Sequence, residues 1–286
     1  MMLRLRSLAR HAVAVVGVSA ACEPRLDTPP LFDAIERRDL SEVRRLVDDD
    51  GGVVEARNKE GLTPLLVAAR SRDGAPIIKV LVGAGAELDA ADKLGRTALH
   101  FSCLGGHAVS TRLLIQGGAD ISQRDARRGA TPAHYAAAFA RVEVLRLLVS
   151  AARDEAGVAN NLVDERDNLG RSPLHWSALS AHRDWAQDRS VDVARLLIDA
   201  GALATARDKT GATPAHTAAQ LGAAAFLDVL VRHGQASETP IMHEADNRGL
   251  TPLDIAAAKY DRTRLSLKPR ISTGPIALRP ATTTKR

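Results

Sequence analysis

Apolar residues recur along this chain in pairs of short segments that are separated by polar turns. The second segment of each pair contains an apolar triplet of Leu, Val or Ile, and the triplets begin at Val80, Leu113, Leu147, Leu196 and Val229. The first segment is short and often holds two adjacent alanines, as at Ala68 and Ala136. Because an apolar helical face needs a partner, the pattern predicts helix pairs that pack against neighbouring pairs.

A helix-start signal precedes each first segment. It consists of Thr or Ser followed by Pro or Ala, and it stands at Thr63, Thr97, Thr131, Ser172, Thr213 and Thr251. The intervals are 34, 34, 41, 41 and 38 residues, which indicates a repeat of about 33 residues with short insertions. The hydroxyl can cap the helix, and Pro is tolerated at the first helical position because the N–H lost there has no helical partner.

A tight turn is predicted before each helix start. The turns run from Asn58, Asp92, Asp125, Asp167, Asp208 and Asp246 to Gly61, Gly95, Gly129, Gly170, Gly211 and Gly249. Asp and Asn side chains bond nearby backbone and Gly accepts a positive φ, so this spacing is typical of turns. Further glycines follow the apolar triplets and predict left-handed helix caps at Gly85, Gly118, Gly201 and Gly234.

At these residues the chain resembles the ankyrin repeat family, whose pattern D-x-x-G-x-T-P-L-H-x-A-A, helix, G-A-D is met over much of residues 58–257. The resemblance implies an all-α repeat solenoid, in which helix pairs stack and β-hairpin-like fingers project along one edge. It places the ankyrin repeat domain at residues 31–265, with an N-terminal capping pair and about six repeats, the last incomplete. Residues 1–30 are predicted to be a targeting segment or a disordered extension, and residues 266–286 a disordered basic tail.

Several departures from the repeat pattern predict insertions. They lie at residues 153–166 after the third repeat, at about residues 181–190 between the helices of the fourth, and near residues 235–244 in a lengthened finger at the end of the fifth. No apolar triplet follows Ala258. The stack is therefore expected to end on half a repeat.

The N-terminal segment leaves the localisation open. It has a basic start, an apolar run over residues 12–21 and small residues at Ser19 and Ala21. Three interpretations fit: a secretory signal cleaved near residue 22, an organellar transit peptide, or an uncleaved extension of a cytoplasmic protein.

The formal charge of +5 is concentrated at the two ends of the chain. Residues 1–10 and 262–286 carry ten Lys and Arg residues without an acid, which leaves residues 11–261 at −5. A nucleic-acid groove in the body is therefore not indicated. The basic tail leaves open a contact with nucleic acid or an anionic membrane.

A column of histidines invites a metal site, at His100, His134, His175 and His216. Packed helices lie about 8–10 Å apart whereas zinc holds its ligands near about 2 Å, so adjacent members cannot share one ion. The resemblance implies instead that each His joins the Thr or Ser cap to the neighbouring loop by hydrogen bonds. The sequence also lacks a nucleophile elbow, a phosphate loop and paired carboxylates, so we expect no catalysis, metal, cofactor or small-molecule substrate.

Residues next to this column are expected to serve packing. Phe101, Tyr135 and Trp176 each follow a His, and that regularity predicts contacts between neighbouring repeats. Cys103 is predicted to be a small buried apolar residue.

Partner-binding residues are predicted at positions that the repeat does not need. On the fingers they are Lys59, Lys93, Arg96, Arg127, Arg128, Arg171, Lys209 and Arg248. On the concave face and in the fourth-repeat insertion they are Arg70, Leu104, Phe139, Leu179, Leu221 and Trp185. The alternatives are a basic face neutralised by the turn Asp residues, ordinary burial of the apolar set, and folding of Trp185 over Trp176.

These expectations describe a monomeric, non-enzymatic protein-binding module, an adaptor or scaffold. Its partner is expected to be a protein that presents an acidic or mixed acidic and apolar segment. Two alternatives remain open: an ankyrin effector that is secreted or organelle-targeted and blocks its partner, and a protein binder whose basic tail contacts nucleic acid or an anionic membrane.

Overall fold

The computed structural model describes residues 30–154, 162–181, 187–233 and 240–266, which form thirteen α-helices and no strand. The helices are α1 Pro30–Glu36, α2 Leu40–Asp49, α3 Pro64–Arg70, α4 Ala75–Gly83, α5 Ala98–Gly105, α6 Ala108–Gln116, α7 Pro132–Ala138, α8 Val142–Asp154, α9 Pro173–Ser180, α10 Gln187–Asp199, α11 Pro214–Leu221, α12 Ala224–His233 and α13 Pro252–Ser266. Short 3-10 helices occupy Gly51–Glu55 and Ile241–His243. The N-terminal segment, Gly234, Trp185 and the basic tail beyond residue 266 lie outside the described residues.

The helices form two layers that follow the chain order. Odd-numbered helices α1 to α13 each contact the next odd-numbered helix, and even-numbered helices α2 to α12 do the same. One continuous apolar core runs through all the pairs from Leu31 to Ile241, and Cys103 is buried within it as predicted. The all-helical repeat solenoid is therefore confirmed.

The predicted N-terminal capping pair is present as α1 and α2. Its inner side chains Phe32 and Val43 are buried, whereas Glu36, Arg37 and Arg38 are exposed. Asp39 caps α2 by accepting a hydrogen bond from the Glu42 N–H at 3.0 Å. The pair buries apolar side chains against the core and exposes polar ones, and its capping role stays a prediction.

The His column links each repeat to the next. Nδ1 of His134 accepts a hydrogen bond from the Thr131 N–H at 3.2 Å, so the proton lies on Nε2. Nε2 donates to the carbonyl of Arg171 in the following repeat at 3.0 Å. The same bond joins His100 to Ala130, His175 to Ala212 and His216 to Leu250. The structural role that the resemblance implied is confirmed, and we call this column the His relay.

The aromatic residues pack between repeats as predicted. The ring of Tyr135 stands edge-on to His100, with centroids 5.6 Å apart, and Trp176 stands edge-on to His134 at 5.5 Å. Tyr135 and Trp176 also contact each other at 5.7 Å. Tyr135 and Trp176 therefore each pack against the His of the preceding repeat.

Three helix boundaries differ from the expectation. α8 continues to Asp154 and α10 begins at Gln187, so part of each predicted insertion is helical. The last helix was expected to be short, yet α13 spans 15 residues. The cause in α8 and α13 is the missing stop signal: Ala152 replaces the capping Gly of the third repeat, and no Gly or Pro follows Pro252 before Pro269.

Substitution of His134 by Ala tests the His relay. We expect a loss of about 2–4 kcal/mol in the free energy of unfolding, because the change opens a cavity and leaves the Arg171 carbonyl unpaired. Urea unfolding followed by circular dichroism measures this quantity. The matched control is His243→Ala, since His243 is exposed; equal losses in the two variants would contradict a structural role for the relay.

Acid should weaken the stack through the same histidines. Burial is the main cause that lowers the pKa of His134 and of His175 from 6.5 to about 4. Between about pH 6.5 and 4 these imidazoles bind protons in the unfolded chain but stay neutral in the folded chain. The free energy of unfolding is therefore full above about pH 6.5 and falls as pH drops toward 4. The thermal midpoint measured from neutral pH downward should therefore decrease in this window. A midpoint that stays constant through it would show that these imidazoles titrate normally.

Candidate partner-binding surface

The predicted fingers are tight turns. In the second repeat Oδ1 of Asp92 accepts from the Leu94 N–H at 2.8 Å and the Arg96 N–H at 2.9 Å. The Gly95 N–H donates to the Asp92 carbonyl at 2.9 Å, and the Asp92 N–H donates to the Arg96 carbonyl at 3.0 Å. The fingers are therefore closed by hairpin-type bonds, although the described residues contain no strand.

Neighbouring fingers are joined through their backbones. The Ala126 N–H donates to the Leu94 carbonyl at 2.8 Å, and the Asn168 N–H to the Arg128 carbonyl at 2.7 Å. Corresponding bonds join the later fingers, from Lys209 to Leu169 at 2.9 Å and from Asn247 to Thr210 at 3.1 Å. The edge that the fingers form is therefore fixed in place before any partner arrives.

A column of arginines, which the sequence reasoning missed, reinforces these joints. Nη1 of Arg57 donates to the carbonyl of Gly61 in its own finger at 2.8 Å and to that of Ala91 in the next at 2.9 Å. Arg166 and Arg207 bridge their fingers in the same way. The signal was available, because an Arg directly precedes the turn Asn or Asp at positions 57, 124, 166 and 207.

Three open depressions lie side by side between the fingers and the first helices. Their volumes are about 510, 300 and 630 Å³ in chain order. The first and second share Leu94, Arg96 and Leu104, and the second and third share Leu179. They therefore form one continuous surface, which we call the trough.

Most of the predicted partner-binding residues line the trough. These are Arg70, Lys93, Arg96, Leu104, Arg127, Arg128, Phe139, Arg171, Leu179 and Arg248. Lys59, Lys209 and Leu221 do not line it. Trp185 lies outside the described residues. The structure thus brings the two predicted sets together along one face, and their role in binding stays a prediction.

Two of the predicted fingertip cations are ion-paired within their own turns. Arg96 donates through Nε and Nη2 to Oδ2 of Asp92 at 2.9 and 2.7 Å, and Arg171 binds Asp167 in the same way. Burial opposes ionisation of Asp92, yet the bonds from Arg96 and Leu94 hold its pKa below the ordinary value. The guanidinium of Arg96 also lies 4.6 Å from the ring centroid of Phe101. The alternative interpretation, in which the turn Asp neutralises the basic face, therefore holds for Arg96 and Arg171.

Arg127 and Arg128 differ from that pair because both are exposed. Among the described residues neither forms an ion pair, since the nearby Asp125 is buried and accepts from the Tyr135 hydroxyl at 2.7 Å. The guanidinium of Arg128 lies 5.5 Å from the ring centroid of Trp176. Two cations thus border the middle depression of the trough.

Apolar fingertips are the second feature that the sequence reasoning missed. Leu94 is 38% exposed and Leu169 is 55% exposed, each directly before the turn Gly. Leu94 lines the first two depressions. Their place in the Asp-x-x-Gly turn was the available signal, because the residue before the Gly stands at the tip. The finger edge is therefore mixed apolar and basic rather than basic alone.

The described residues contain neither a cluster of metal ligands nor a membrane-spanning helix. In the part of the chain that the structure describes, no three His, Cys, Asp or Glu side chains converge on a common metal position. No helix there combines the length and the apolar character needed to cross a bilayer.

Stacked helix pairs, capped by hydroxyl groups and tied together by a His relay and a row of turns, define a helical repeat solenoid with a concave face. A family model described as ankyrin repeats in three copies matches residues 71–158 and 118–202. The chain is an ankyrin repeat protein.

Relatives and solved structures agree with this assignment. The chain is 29% identical over 68% of its length to human Ankyrin repeat domain-containing protein 63, covering 51% of that protein. It is 27% identical over 80% of its length to human Ankyrin repeat and SOCS box protein 16, covering 47% of it. The chain thus spans about half of the length of these two curated relatives.

Among solved structures, the ankyrin repeat domain of Bcl-3, a member of the IkappaB protein family, superposes with a TM-score of 0.64 at 27% identity. The match covers 80% of this chain and 94% of that domain. An ankyrin repeat domain from Acinetobacter baumannii AYE gives a TM-score of 0.61 at 25% identity, over 72% of this chain and 97% of that one.

A matched pair of glycine substitutions tests the joint between fingers. Gly95 and Gly249 have nearly equal φ angles of 74° and 77°, so Ala adds similar backbone strain at both. A Cβ at Gly95 would lie 2.5 Å from the Ala126 backbone nitrogen, whereas at Gly249 no atom lies within 4 Å. Gly95→Ala should therefore cost about 1–3 kcal/mol more in unfolding free energy than Gly249→Ala. Equal losses of unfolding free energy in the two variants, measured by chemical denaturation, would mean that neighbouring fingers do not contact each other at Gly95.

Proposed function

We propose that this chain is a non-enzymatic binding module that holds an acidic and apolar segment of a partner protein in the trough. Ankyrin repeat domains generally mediate protein–protein interaction, and the chain belongs to that class. The specific ligand chemistry is inferred from the side chains of the trough.

The middle depression carries the proposal. Its floor is formed by the half-buried side chains of Leu104 and Phe139 together with Leu179, which is 37% exposed. Arg127 and Arg128 stand on its finger side. An apolar side chain of a ligand would lose contact with water on this floor, and a neighbouring carboxylate would meet two cations that lack an acidic partner.

Rigidity supports the same function. The fingers are bonded to each other through their backbones, and the first helices beneath them are fixed by the His relay. A preformed surface loses little conformational freedom when a ligand binds, so more of the contact energy becomes affinity.

Selection from a random-peptide library displayed on phage tests the ligand chemistry. The purified protein should enrich peptides that combine acidic residues with Leu or an aromatic residue. Enrichment of basic or uncharged polar peptides would contradict the proposal.

Affinities of the selected peptides should depend on the middle depression. Reversing both charges in Arg127→Glu/Arg128→Glu should weaken binding by about ten-fold or more, because each exposed charge contact is replaced by repulsion. Leu179→Ser should weaken it about five-fold by removing apolar contact area. Arg112→Glu is the matched control, since Arg112 is exposed on α6 in the other helix layer. Calorimetric titration gives the affinities. An unchanged affinity of the double variant would show that the peptides do not bind in the middle depression.

A further inference from the structure

A second basic edge lies opposite the fingers, at the turns that join first helices to second helices. Arg72, His107 and Arg141 come from three consecutive repeats and line a common depression of about 440 Å³. Its remaining lining is formed by Gly105, Gly106 and residues 108–110 at the start of α6. We call it the turn depression. It shares no lining residue with the trough except Gly105.

Two glycines make room for the side chains of this depression. A Cβ at Gly106 would lie 2.7 Å from Cδ and 2.9 Å from Nε of Arg141, so that side chain lies directly across the glycine. A Cβ at Gly105 would lie 2.2 Å from Nε2 of His107. Nε of Arg141 donates to the Leu104 carbonyl at 3.1 Å, which leaves its two Nη groups for a ligand. The cation is therefore positioned by the fold.

The turn depression has an unbalanced positive charge. Burial is the largest cause that lowers the pKa of His107; a hydrogen bond to the Arg70 backbone opposes it, and the charges of Arg141 and Arg72 lower the pKa further. Burial likewise lowers the pKa of Arg141, with a further contribution from Arg189 at the start of α10. The nearby acid is Asp73, whose carboxylate is bound to Arg38 at 2.6 Å. A mobile anion would relieve this repulsion.

The first turn of α6 adds hydrogen-bond donors. α6 has nine residues, and its N-cap His107 provides no side-chain cap. The Ala108 N–H donates to the Gly106 carbonyl at 3.1 Å, but the next N–H groups of a first helical turn have no acceptor within the helix, and the helix dipole adds positive potential there. Ser110, in this turn, lines the depression and is 1% exposed. Its hydroxyl is the one buried side-chain polar atom among the described residues that has no hydrogen-bond partner.

We propose that the turn depression binds a phosphate dianion, held between Arg72 and Arg141 over the first turn of α6. Two arginine side chains, a helix N-terminus and an unpaired hydroxyl line this depression, and together they offer more donors than a carboxylate has acceptor oxygens to satisfy. A phosphate group supplies them, and both helix N-termini and arginines are favourable phosphate ligands. Free phosphate and a phosphate attached to a side chain share this group, and the shared group is what the site recognises.

Titration of the full chain with inorganic phosphate tests this site. The imidazole signals of His107 in NMR spectra should shift saturably, and calorimetry should give the dissociation constant. The double variant Arg72→Gln/Arg141→Gln should bind about ten-fold more weakly or worse, while Arg112→Gln on the exposed face of α6 should bind as the natural chain does. Absence of a saturable shift, or equal weakening in the Arg112→Gln control, would overturn the proposal.

Ser110→Ala separates binding from stability. The hydroxyl has no partner to lose, so the unfolding midpoint should stay the same or rise. Phosphate affinity should fall about three-fold or more if the hydroxyl donates to the ligand; unchanged affinity would exclude the hydroxyl from the site.

A phosphoserine peptide and its unphosphorylated form make the last comparison. Tighter binding of the phosphopeptide than of inorganic phosphate indicates a modified side chain as the source, and equal binding indicates a free phosphate group.

Discussion

The hydrogen bond from each His Nε2 to a carbonyl of the next repeat is the interaction on which the stack depends. It fixes the start of a first helix and at the same time its distance to the neighbouring finger, as His134 does between Thr131 and Arg171. No single repeat could satisfy these groups alone, since the acceptor always belongs to the repeat that follows. Stability in this protein therefore lies in the interfaces between repeats rather than within the repeats.

The two ends of the relay follow from the same constraint. In the first repeat Leu66 replaces the His, and the joint to the next repeat keeps the bond from Arg57 to the Ala91 carbonyl at 2.9 Å. In the last repeat Asp254 replaces it and accepts from the Thr251 N–H at 3.0 Å and hydroxyl at 2.7 Å. A carboxylate can cap the helix but has no proton to donate onward.

The repeat signal predicted the fold well because each of its residues acts on local backbone. Thr131 caps a helix and Gly95 closes a turn whatever surrounds them. Contacts between residues of different repeats were harder to predict. The shared depression of Arg72, His107 and Arg141, for example, joins residues that stand more than thirty positions apart. Helix ends at the insertions were also missed, because Ala152 carries no stop signal.

The protonation state of the relay is the most direct measure of this account. Nitrogen NMR shifts of the imidazoles distinguish a proton on Nε2 from one on Nδ1. The account predicts that His100, His134 and His175 are neutral at pH 7 with the proton on Nε2, because Nδ1 of each accepts a backbone N–H. Imidazoles found protonated on Nδ1, or charged at that pH, would contradict a stack joined by this bond.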